Sequence, residues 1–330
     1  MPEVLVEARD LVVRFRQSAG LKKSIIRPVN AVSFTIDRGE ILGIVGESGS
    51  GKTTLGRTLV GMVQAARGSL QLEGRDVTRL RGKGLSQHWS QVQMIFQDVY
   101  NSLNPVYTIE QQLLFPIQRH RSPEALDADQ ELDRLLRMTG LTPVGTVRQK
   151  RPHELSGGQR QRVAAVRALA CRPELLIADE PVSMLDVSLR AEVLQLLLKL
   201  REELGLTLVY ITHDLPTAVY ICDRILVMYG GRIVEISGAR DVVNKAEHPY
   251  TQRLAASATF ESAPAASASY GGDHMKSVLL ESHRGCPYVL QCPLSMDICR
   301  KEAPVFTHVG PNHDVACHAV ANARQEEQAL

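Results

Sequence analysis

Two glycine-rich segments of the sequence have the residue types and spacing to bind phosphate groups. Residues 46–53, here called the phosphate loop, read Gly-Glu-Ser-Gly-Ser-Gly-Lys-Thr and fit the G-x-x-x-x-G-K-[ST] pattern completely. Residues 155–159, here called the signature segment, read Leu-Ser-Gly-Gly-Gln. Glycines let backbone N–H groups curl around phosphate oxygens, and a glycine pair opening a helix adds the positive helix end. We expect the phosphate loop to bind this chain's own nucleotide, and the signature segment to hold a terminal phosphate bound by another chain.

The phosphate loop also carries side chains that suit a nucleotide. Lys52 would bridge the β- and γ-phosphates, the Thr53 hydroxyl would ligate Mg²⁺, and Thr54 would reach the α-phosphate. The alternative is a chance glycine-rich turn, but an apolar run precedes the loop and a helical pattern follows it, which is the context the motif requires. The predicted nucleotide ligands of this region are Gly46, Ser48, Gly49, Ser50, Gly51, Lys52, Thr53 and Thr54.

An apolar run at 175–178 ends in the acid pair Asp179 and Glu180. A strand there would deliver Asp179 to the Mg²⁺ shell, and Glu180 would polarise an attacking water as a general base. The alternative is a pair of solvated acids that cap a strand. The position of the pair downstream of the signature segment favours the catalytic interpretation.

Hydrophobic periodicity predicts the elements that must position these residues. Alternation of apolar and polar side chains predicts half-buried strands, continuous apolar runs predict strands buried in a parallel sheet, and apolar periods near 3.6 predict helices. We predict strands at 3–16, 31–37, 41–45, 69–73, 175–178, 206–211 and 225–228, a helix at 187–204, a helical insertion from 101 to 166, and a loop at 17–28.

Composition narrows the class of protein. A chain of 330 residues holds one large domain or two ordinary ones. Its 38 basic and 36 acidic residues leave no basic surplus, so we expect no nucleic-acid partner. No apolar run approaches the roughly 20 residues of a membrane helix, and the first residues lack a signal-peptide pattern. We therefore expect a cytosolic chain that reaches a membrane only through a partner.

Four of the six cysteines crowd into the last 45 positions, in the spacing C-x₅-C-x₆-C-x₁₇-C. Cys171 and Cys222 stand among apolar neighbours, which is typical of small core residues. Four thiolates in a short loop-rich module can hold zinc or an iron–sulfur cluster, but the usual spacings of both are absent, so an empty site is a further alternative. The four are Cys286, Cys292, Cys299 and Cys317, with His283, His308, His313 and His318 as substitute ligands.

Six motifs occur in the order found in ATP-binding cassette (ABC) ATPases, which the sequence resembles over residues 3–255. They are Gly46–Thr53, Gln97, Leu155–Gln159, Asp179-Glu180, Asp186 and His213. The resemblance implies an α/β P-loop NTPase with a RecA-like core, an antiparallel β subdomain and a helical subdomain, followed by a small C-terminal cysteine-rich module. The implied domains are a nucleotide-binding domain at 1–256 with its helical subdomain at about 98–168, a linker at 257–273 and a tail at 274–330.

The same resemblance implies the remaining site residues. The cofactors are ATP and Mg²⁺, the latter bound by Thr53, Gln97 and Asp179. Glu180, His213 and Gln97 are the implied catalytic residues, and His213 contacts the γ-phosphate. Phe15 would stack on adenine, although a strand core residue is its plainer interpretation. Met184 departs from the alanine that is commoner in the loop before Asp186. The residues implied to act across a dimer interface are Ser156, Gly157, Gly158 and Gln159, on the partner's ATP, and Asp186.

Several stretches resemble the ATPase subunits of oligopeptide and dipeptide importers. They include Phe96-Gln97-Asp98, the run Asn101-Ser102-Leu103-Asn104-Pro105, and His248-Pro249-Tyr250-Thr251. Val99 departs from the proline usual in that branch. This branch carries the same style of tail, and some members bind a [4Fe–4S] cluster there, which favours the cluster over zinc.

Membership of that branch implies ATP-driven dimer closure that powers import of di- or oligopeptides. The implied partners are a second ABC ATPase that is a distinct paralogue, two transmembrane permease subunits docked beside residues 99–108, and, indirectly, an extracytoplasmic solute-binding protein. The implied location is the cytoplasmic face of the inner membrane, as a peripheral protein. Alternatives are import of an oligosaccharide or metal chelate, a non-transport ABC ATPase, and an interaction module with a regulatory ATP site.

Overall fold

A computed structural model of the chain describes residues 3–19, 22–120, 127–183, 185–259, 279 and 284–328. The described strands are β1 (Val4–Ala19), β2 (Lys22–Asp37), β3 (Ile41–Val45), β4 (Arg67–Leu72), β5 (Arg75–Asp76), β6 (Val92–Ile95), β7 (Leu175–Asp179), β8 (Thr207–Thr212), β9 (Arg224–Tyr229), β10 (Arg232–Gly238), β11 (Thr307–Gly310) and β12 (His313–Val315). The described helices are α1 (Lys52–Leu59), α2 (Gly82–Gln91), α3 (Val99–Ser102), α4 (Ile109–His120), α5 (Ala128–Met138), α6 (Val144–Gln149), α7 (Gly157–Leu169), α8 (Val187–Leu204), α9 (Leu215–Ile221), α10 (Asp241–Asn244), α11 (Pro249–Thr259), α12 (Asp297–Lys301) and α13 (His318–Gln328).

The chain forms two compact units. The first contains the described residues up to Arg79 and from Tyr210 onward, and the second runs from Leu80 to Val209. Within the described residues, no helix combines the length and the apolar composition needed to cross a membrane.

An antiparallel sheet in the order β2-β1-β4-β5 opens the first unit. The loop predicted at 17–28 is wrong, because β1 continues to Ala19 and β2 begins at Lys22, with Phe15 paired to Ile26 and Arg16 to Ile25. Phe15 is 41% exposed and Ile25 is 40% exposed. An antiparallel ladder is held by backbone hydrogen bonds and tolerates water on its faces, so this hairpin needs no apolar run in the sequence.

The second sheet of the first unit includes the strand order β11-β12-β10-β9-β3. β3 pairs in parallel with β9 and is buried along its whole length. The start of β3 is anchored, because the Ile41 N–H donates to Asp223 Oδ2 at 2.8 Å and Arg224 pairs with Glu40 at 3.0 Å. These contacts hold the start of β3, the strand that leads into the phosphate loop.

The tail described from residue 284 extends this second sheet. β12 pairs antiparallel with β10 and with β11, so the tail hairpin forms the sheet's edge. His313 Nε2 lies 2.7 Å from the fully buried carboxylate of Glu235, which also accepts the N–H groups of Glu247 and His248 at 3.0 Å. Of the expected linker, only 257–259 are described, as the end of α11; residues 260–273 lie outside the described residues.

Most of the second unit is helical, in agreement with the helical insertion predicted from 101 to 166. β6 and β7 pair in parallel, and β7 is buried throughout. The guanidinium of Arg148, on α6, binds carboxylates of α4 and α5, namely those of Glu110, Asp129 and Asp133. This arginine therefore ties three helices of the insertion together.

Candidate functional site

The phosphate loop leaves β3 at Gly46 and enters α1 after Gly51, and neither position has room for a side chain. A Cβ on Gly46 would lie 2.2 Å from the carbonyl oxygen of Met228, and a Cβ on Gly51 would lie 1.8 Å from that of Pro28. Gly51 also has φ 109, in the left-handed region, and precedes α1 without any side-chain cap. The first N–H groups of α1 thus receive no acceptor from a capping side chain.

Lys52 is held inside the phosphate loop. Its ammonium donates to the carbonyl oxygens of Gly46 at 2.7 Å and Glu47 at 2.9 Å, and the residue is only 5% exposed. Ser50 is fully buried, and its hydroxyl has no hydrogen-bond partner among the described residues. A buried cation beside an unpartnered hydroxyl suits an anionic ligand rich in oxygen, as a polyphosphate is. Ser48, Gly49, Thr53 and Thr54 are exposed or half-buried in the same stretch.

The acid pair and Gln97 meet inside the second unit. Asp179 is the last residue of β7 and is 1% exposed, while Glu180 follows it with φ 46. A non-glycine residue in this left-handed region is strained by about 1–3 kcal/mol, and such strain clusters at functional sites. The Gln97 amide donates to Glu180 Oε2 at 2.8 Å. Sequence motifs single out both side chains, but the bond between them is a property of the fold.

The signature segment opens α7 with a reciprocal cap. Ser156 Oγ accepts the Gln159 N–H at 3.3 Å, and Gln159 Oε1 accepts the Ser156 N–H at 3.1 Å. Leu155 is buried at 4% exposure and anchors the segment, while Ser156 and Gly157 are exposed. A Cβ on Gly158 would lie 3.1 Å from the Leu189 side chain, so α7 packs tightly there. The exposed cap is open to a second molecule.

Three other predicted residues occupy defined places. Asp186 caps α8, its Oδ1 accepting the Leu189 N–H at 3.0 Å. His213 is exposed just beyond β8, and Phe15 presents a partly exposed ring on β1. Met184 lies outside the described residues.

The four tail cysteines are free thiols that influence one another. Burial raises the pKa of the Cys286 thiol to about 12, helped by the nearby Cys299, Cys317 and Cys292. Burial likewise raises the pKa values of Cys292 and Cys317. Among the described residues, however, no three His, Cys, Asp or Glu side chains are grouped to hold a metal ion.

The substitute histidine ligands have other partners. His308 Nδ1 lies 3.0 Å from Asp314, His318 Nε2 lies 3.1 Å from the Glu302 carbonyl, and His313 binds Glu235. His283 lies outside the described residues. His308 and His318 therefore make contacts within the tail, and His313 joins the tail to β10.

Sequence reasoning missed one neighbour of the phosphate loop. The Glu47 N–H donates to the Tyr250 hydroxyl at 3.0 Å, across about two hundred positions of sequence. The motif at 248–251 is visible in the sequence, but its spacing says nothing of this contact.

Comparisons with known proteins cover most of the chain. Residues 29–183 match the model of the ABC transporter family, and residues 234–299 match that of the oligopeptide/dipeptide transporter C-terminal region. The oligopeptide transport ATP-binding protein AppF of Bacillus subtilis is 37% identical over 328 residues, which cover 96% of this chain and 97% of that protein.

Solved structures give a consistent result. The ATP-binding cassette MJ0796, in a dimeric post-hydrolysis state bound to ADP and Pi, is 28% identical with a TM-score of 0.63 and covers 72% of this chain and 99% of its own. The cbiO1 protein of Clostridium perfringens, part of the ABC transporter complex cbiONQ, is 27% identical with a TM-score of 0.64 and covers 74% of this chain and 92% of its own.

Proposed function

The chain belongs to the ABC transporter family of ATP-binding proteins, and from that premise we propose that it is the ATP-hydrolysing subunit of an importer of di- or oligopeptides. The observation that carries this proposal is the alignment with the oligopeptide transport protein AppF, which runs along nearly the full length of both chains. That length includes the tail, which a likeness confined to the ATPase core would leave out.

The catalytic assignment follows the chemistry of each side chain. Lys52 neutralises charge on the β- and γ-phosphates, and the buried Ser50 hydroxyl has capacity for a ligand oxygen. Glu180 accepts a proton from the attacking water, and the Gln97 amide orients its carboxylate. Thr53, Gln97 and Asp179 are our proposed Mg²⁺ ligands, and bound Mg²⁺ would neutralise phosphate charge. We also propose that His213 contacts the γ-phosphate and that Phe15 stacks on the adenine.

The exposed cap of α7 supports a second ATPase subunit as a partner. Ser156, Gly157, Gly158 and Gln159 act on ATP bound by a second, distinct ATPase subunit, and Asp186 faces that dimer interface. Two transmembrane permease subunits bind this subunit at the cytoplasmic face of the membrane, and a solute-binding protein delivers the peptide on the other side of the membrane.

The proposed domains are a nucleotide-binding domain at 1–256, a linker at 257–273 and a tail at 274–330.

Replacing Glu180 tests the proposed activity. With permease subunits and the partner ATPase co-expressed, Glu180→Gln is expected to retain ATP binding while turnover falls roughly 10²- to 10⁴-fold, the usual contribution of a general base. Glu202→Gln, on the exposed part of α8, is the matched control and should hydrolyse ATP normally.

Cargo is tested by uptake in vesicles that contain the complete importer. ATP-dependent accumulation of labelled di- and oligopeptides is expected, with no accumulation in the Glu180→Gln complex. Uptake of an oligosaccharide or a metal chelate without peptide uptake would refute the peptide assignment and leave the ATPase assignment intact.

We also propose that Cys286, Cys292, Cys299 and Cys317 hold a [4Fe–4S] cluster. The support is a set of four free thiols, three of which lie close enough to Cys286 to help raise its pKa. Zinc fits less well, because zinc modules usually carry C-x₂₋₄-C pairs and the tail has none.

Iron analysis of protein purified without air tests the cluster. We expect about four iron atoms and about four sulfides per chain, lost in Cys292→Ser and retained in the control Cys171→Ser. Colourless, iron-free wild-type protein, or one zinc ion per chain, would refute the cluster.

A further inference from the structure

One peptide group of the phosphate loop is held at both ends. The peptide between Gly46 and Glu47 presents its carbonyl oxygen to the Lys52 ammonium at 2.7 Å and its N–H to the Tyr250 hydroxyl at 3.0 Å. A phosphate bound in the loop competes with that carbonyl for the ammonium. When the ammonium turns to phosphate, the Tyr250 hydroxyl is the side-chain partner that still fixes the direction of this peptide.

The Tyr250 ring is itself fixed by a cluster of aromatic side chains. Tyr250 is 1% exposed, and its ring centroid lies 4.6 Å from that of Tyr229 and 5.5 Å from that of Tyr288. Tyr288 meets Tyr229 edge to face at 5.2 Å. The backbone N–H of Tyr250 donates to His248 Nδ1 at 3.0 Å. The hydroxyl therefore sits on a ring with little freedom to move.

A second link between the tail and the phosphate loop lies on the surface. The Arg253 guanidinium donates to Gln291 Oε1 at 2.8 Å and lies 3.5 Å from Glu47 Oε1. A hydrogen bond to Tyr288 helps to raise the pKa of Arg253, against the effect of burial. Tyr288 and Gln291 both belong to the cysteine-bearing tail. Tail residues thus reach the phosphate loop by two routes, one buried and one exposed.

We propose that Tyr250 is a positioning residue of the ATP site: its hydroxyl fixes the Gly46–Glu47 peptide of the phosphate loop, and the tail residue Tyr288 fixes Tyr250. This inference rests on the proposed ATPase function and adds the tail to the nucleotide site. Tyr250 acts through the backbone of the loop, by holding it in the shape that binds a phosphate.

Removing one oxygen atom tests the first half of the inference. Tyr250→Phe keeps the packed ring and deletes the hydroxyl, so we expect KM for ATP and the Kd of a fluorescent ATP analogue to rise about 2- to 10-fold, the worth of one neutral hydrogen bond. The kcat at saturating ATP should stay within about two-fold, because no transition-state contact is lost. Tyr210→Phe is the matched control, since it deletes a buried hydroxyl bonded to Thr217 at 3.3 Å.

The control separates positioning from stability. Both variants should lower the melting temperature slightly, but only Tyr250→Phe should raise the Kd for nucleotide. If both variants lose stability and neither changes nucleotide affinity, Tyr250 is merely structural and the inference is overturned. Wild-type protein that neither binds nor hydrolyses ATP would instead refute the proposed function.

Tyr288→Leu tests the contribution of the tail. It keeps apolar volume at a residue that is 2% exposed and removes the ring that packs on Tyr250. We expect a rise in nucleotide Kd of about 2- to 5-fold, which lies within the contribution of one aromatic side-chain pair, and little additional rise when it is combined with Tyr250→Phe. A folded Tyr288→Leu protein with wild-type affinity, or effects of the two variants that simply multiply, would overturn the link to the tail.

Discussion

The phosphate loop and the signature segment both open a helix with glycines, yet they treat the first backbone N–H groups of that helix differently. At α1 the residue before the helix is Gly51, which has no side chain to offer as a cap. At α7 the residue before the helix is Ser156, whose hydroxyl and whose partner Gln159 close a capping box. The residue before α1 therefore offers no capping side chain, whereas the residue before α7 closes a reciprocal cap.

The two segments also differ in the contacts that hold their shape. The phosphate loop is shaped from outside itself, by close backbone approaches at Gly46 and Gly51 and by the Tyr250 hydroxyl. The signature segment is shaped locally, by two hydrogen bonds within four residues. A phosphate that arrives at α7 has to compete with Ser156 for the Gln159 N–H. That competition suits a contact made only when a second nucleotide site closes on it.

Removing the cation should affect the phosphate loop most strongly. Lys52→Ala deletes a buried ammonium, and charged hydrogen bonds contribute about 1.5–3 kcal/mol, so nucleotide affinity should fall roughly 10- to 150-fold. Titration of the isolated chain with a fluorescent ATP analogue measures this effect. Lys199→Ala, on the half-exposed surface of α8, is the control and should bind normally. Equal affinity in both variants would exclude this loop as the nucleotide site.

Acid should weaken the support of the phosphate loop through His248. Burial lowers the pKa of His248 to about 4 from a usual 6.5, with nearby Glu235 opposing the shift. The unfolded chain therefore takes up a proton below about pH 6.5, while the folded one resists until about pH 4. The free energy of unfolding should fall by about 2 kcal/mol between pH 7 and pH 5 on this account.

Urea unfolding of wild type, His248→Asn and His153→Asn at pH 7 and pH 5 measures how much of this change in the free energy of unfolding comes from His248. His248→Asn should show a pH dependence smaller by about 2 kcal/mol, because the titrating group is gone. His153 is exposed, so its variant should behave as wild type. Identical pH dependence in all three proteins would contradict the assignment.

The smallest effect is expected at the signature segment. Ser156→Ala removes a helix cap and should lower the free energy of unfolding by about 1 kcal/mol. Nucleotide affinity of the isolated chain should stay within about two-fold, and in the assembled importer the loss of turnover should fall on the partner's ATP. Ser90→Ala, which removes no helix-start cap, is the control. A loss of affinity comparable to that of Lys52→Ala would remove the contrast between the two loops.

Much of the fold is predictable from local patterns. The helix predicted at 187–204 matches α8, the run at 175–178 lies within β7, and the run at 206–211 overlaps β8 with a shift of one residue. The hairpin of β1 and β2 is missed at 17–28, because strand pairing there depends on a partner strand and not on apolar periodicity. The addition of β12 to β10 is missed for the same reason.

By itself the sequence determined the phosphate loop, the capped start of α7 and the order of the nucleotide motifs, because each depends on a few adjacent residues and their backbone. Only the tertiary structure decided that Gln97 bonds Glu180, that the Tyr250 hydroxyl holds the Glu47 N–H, and that the tail packs against Tyr250 through Tyr288. Contacts between residues 38 to 203 positions apart depend on how whole strands and helices pack, and spacing along the chain does not predict them.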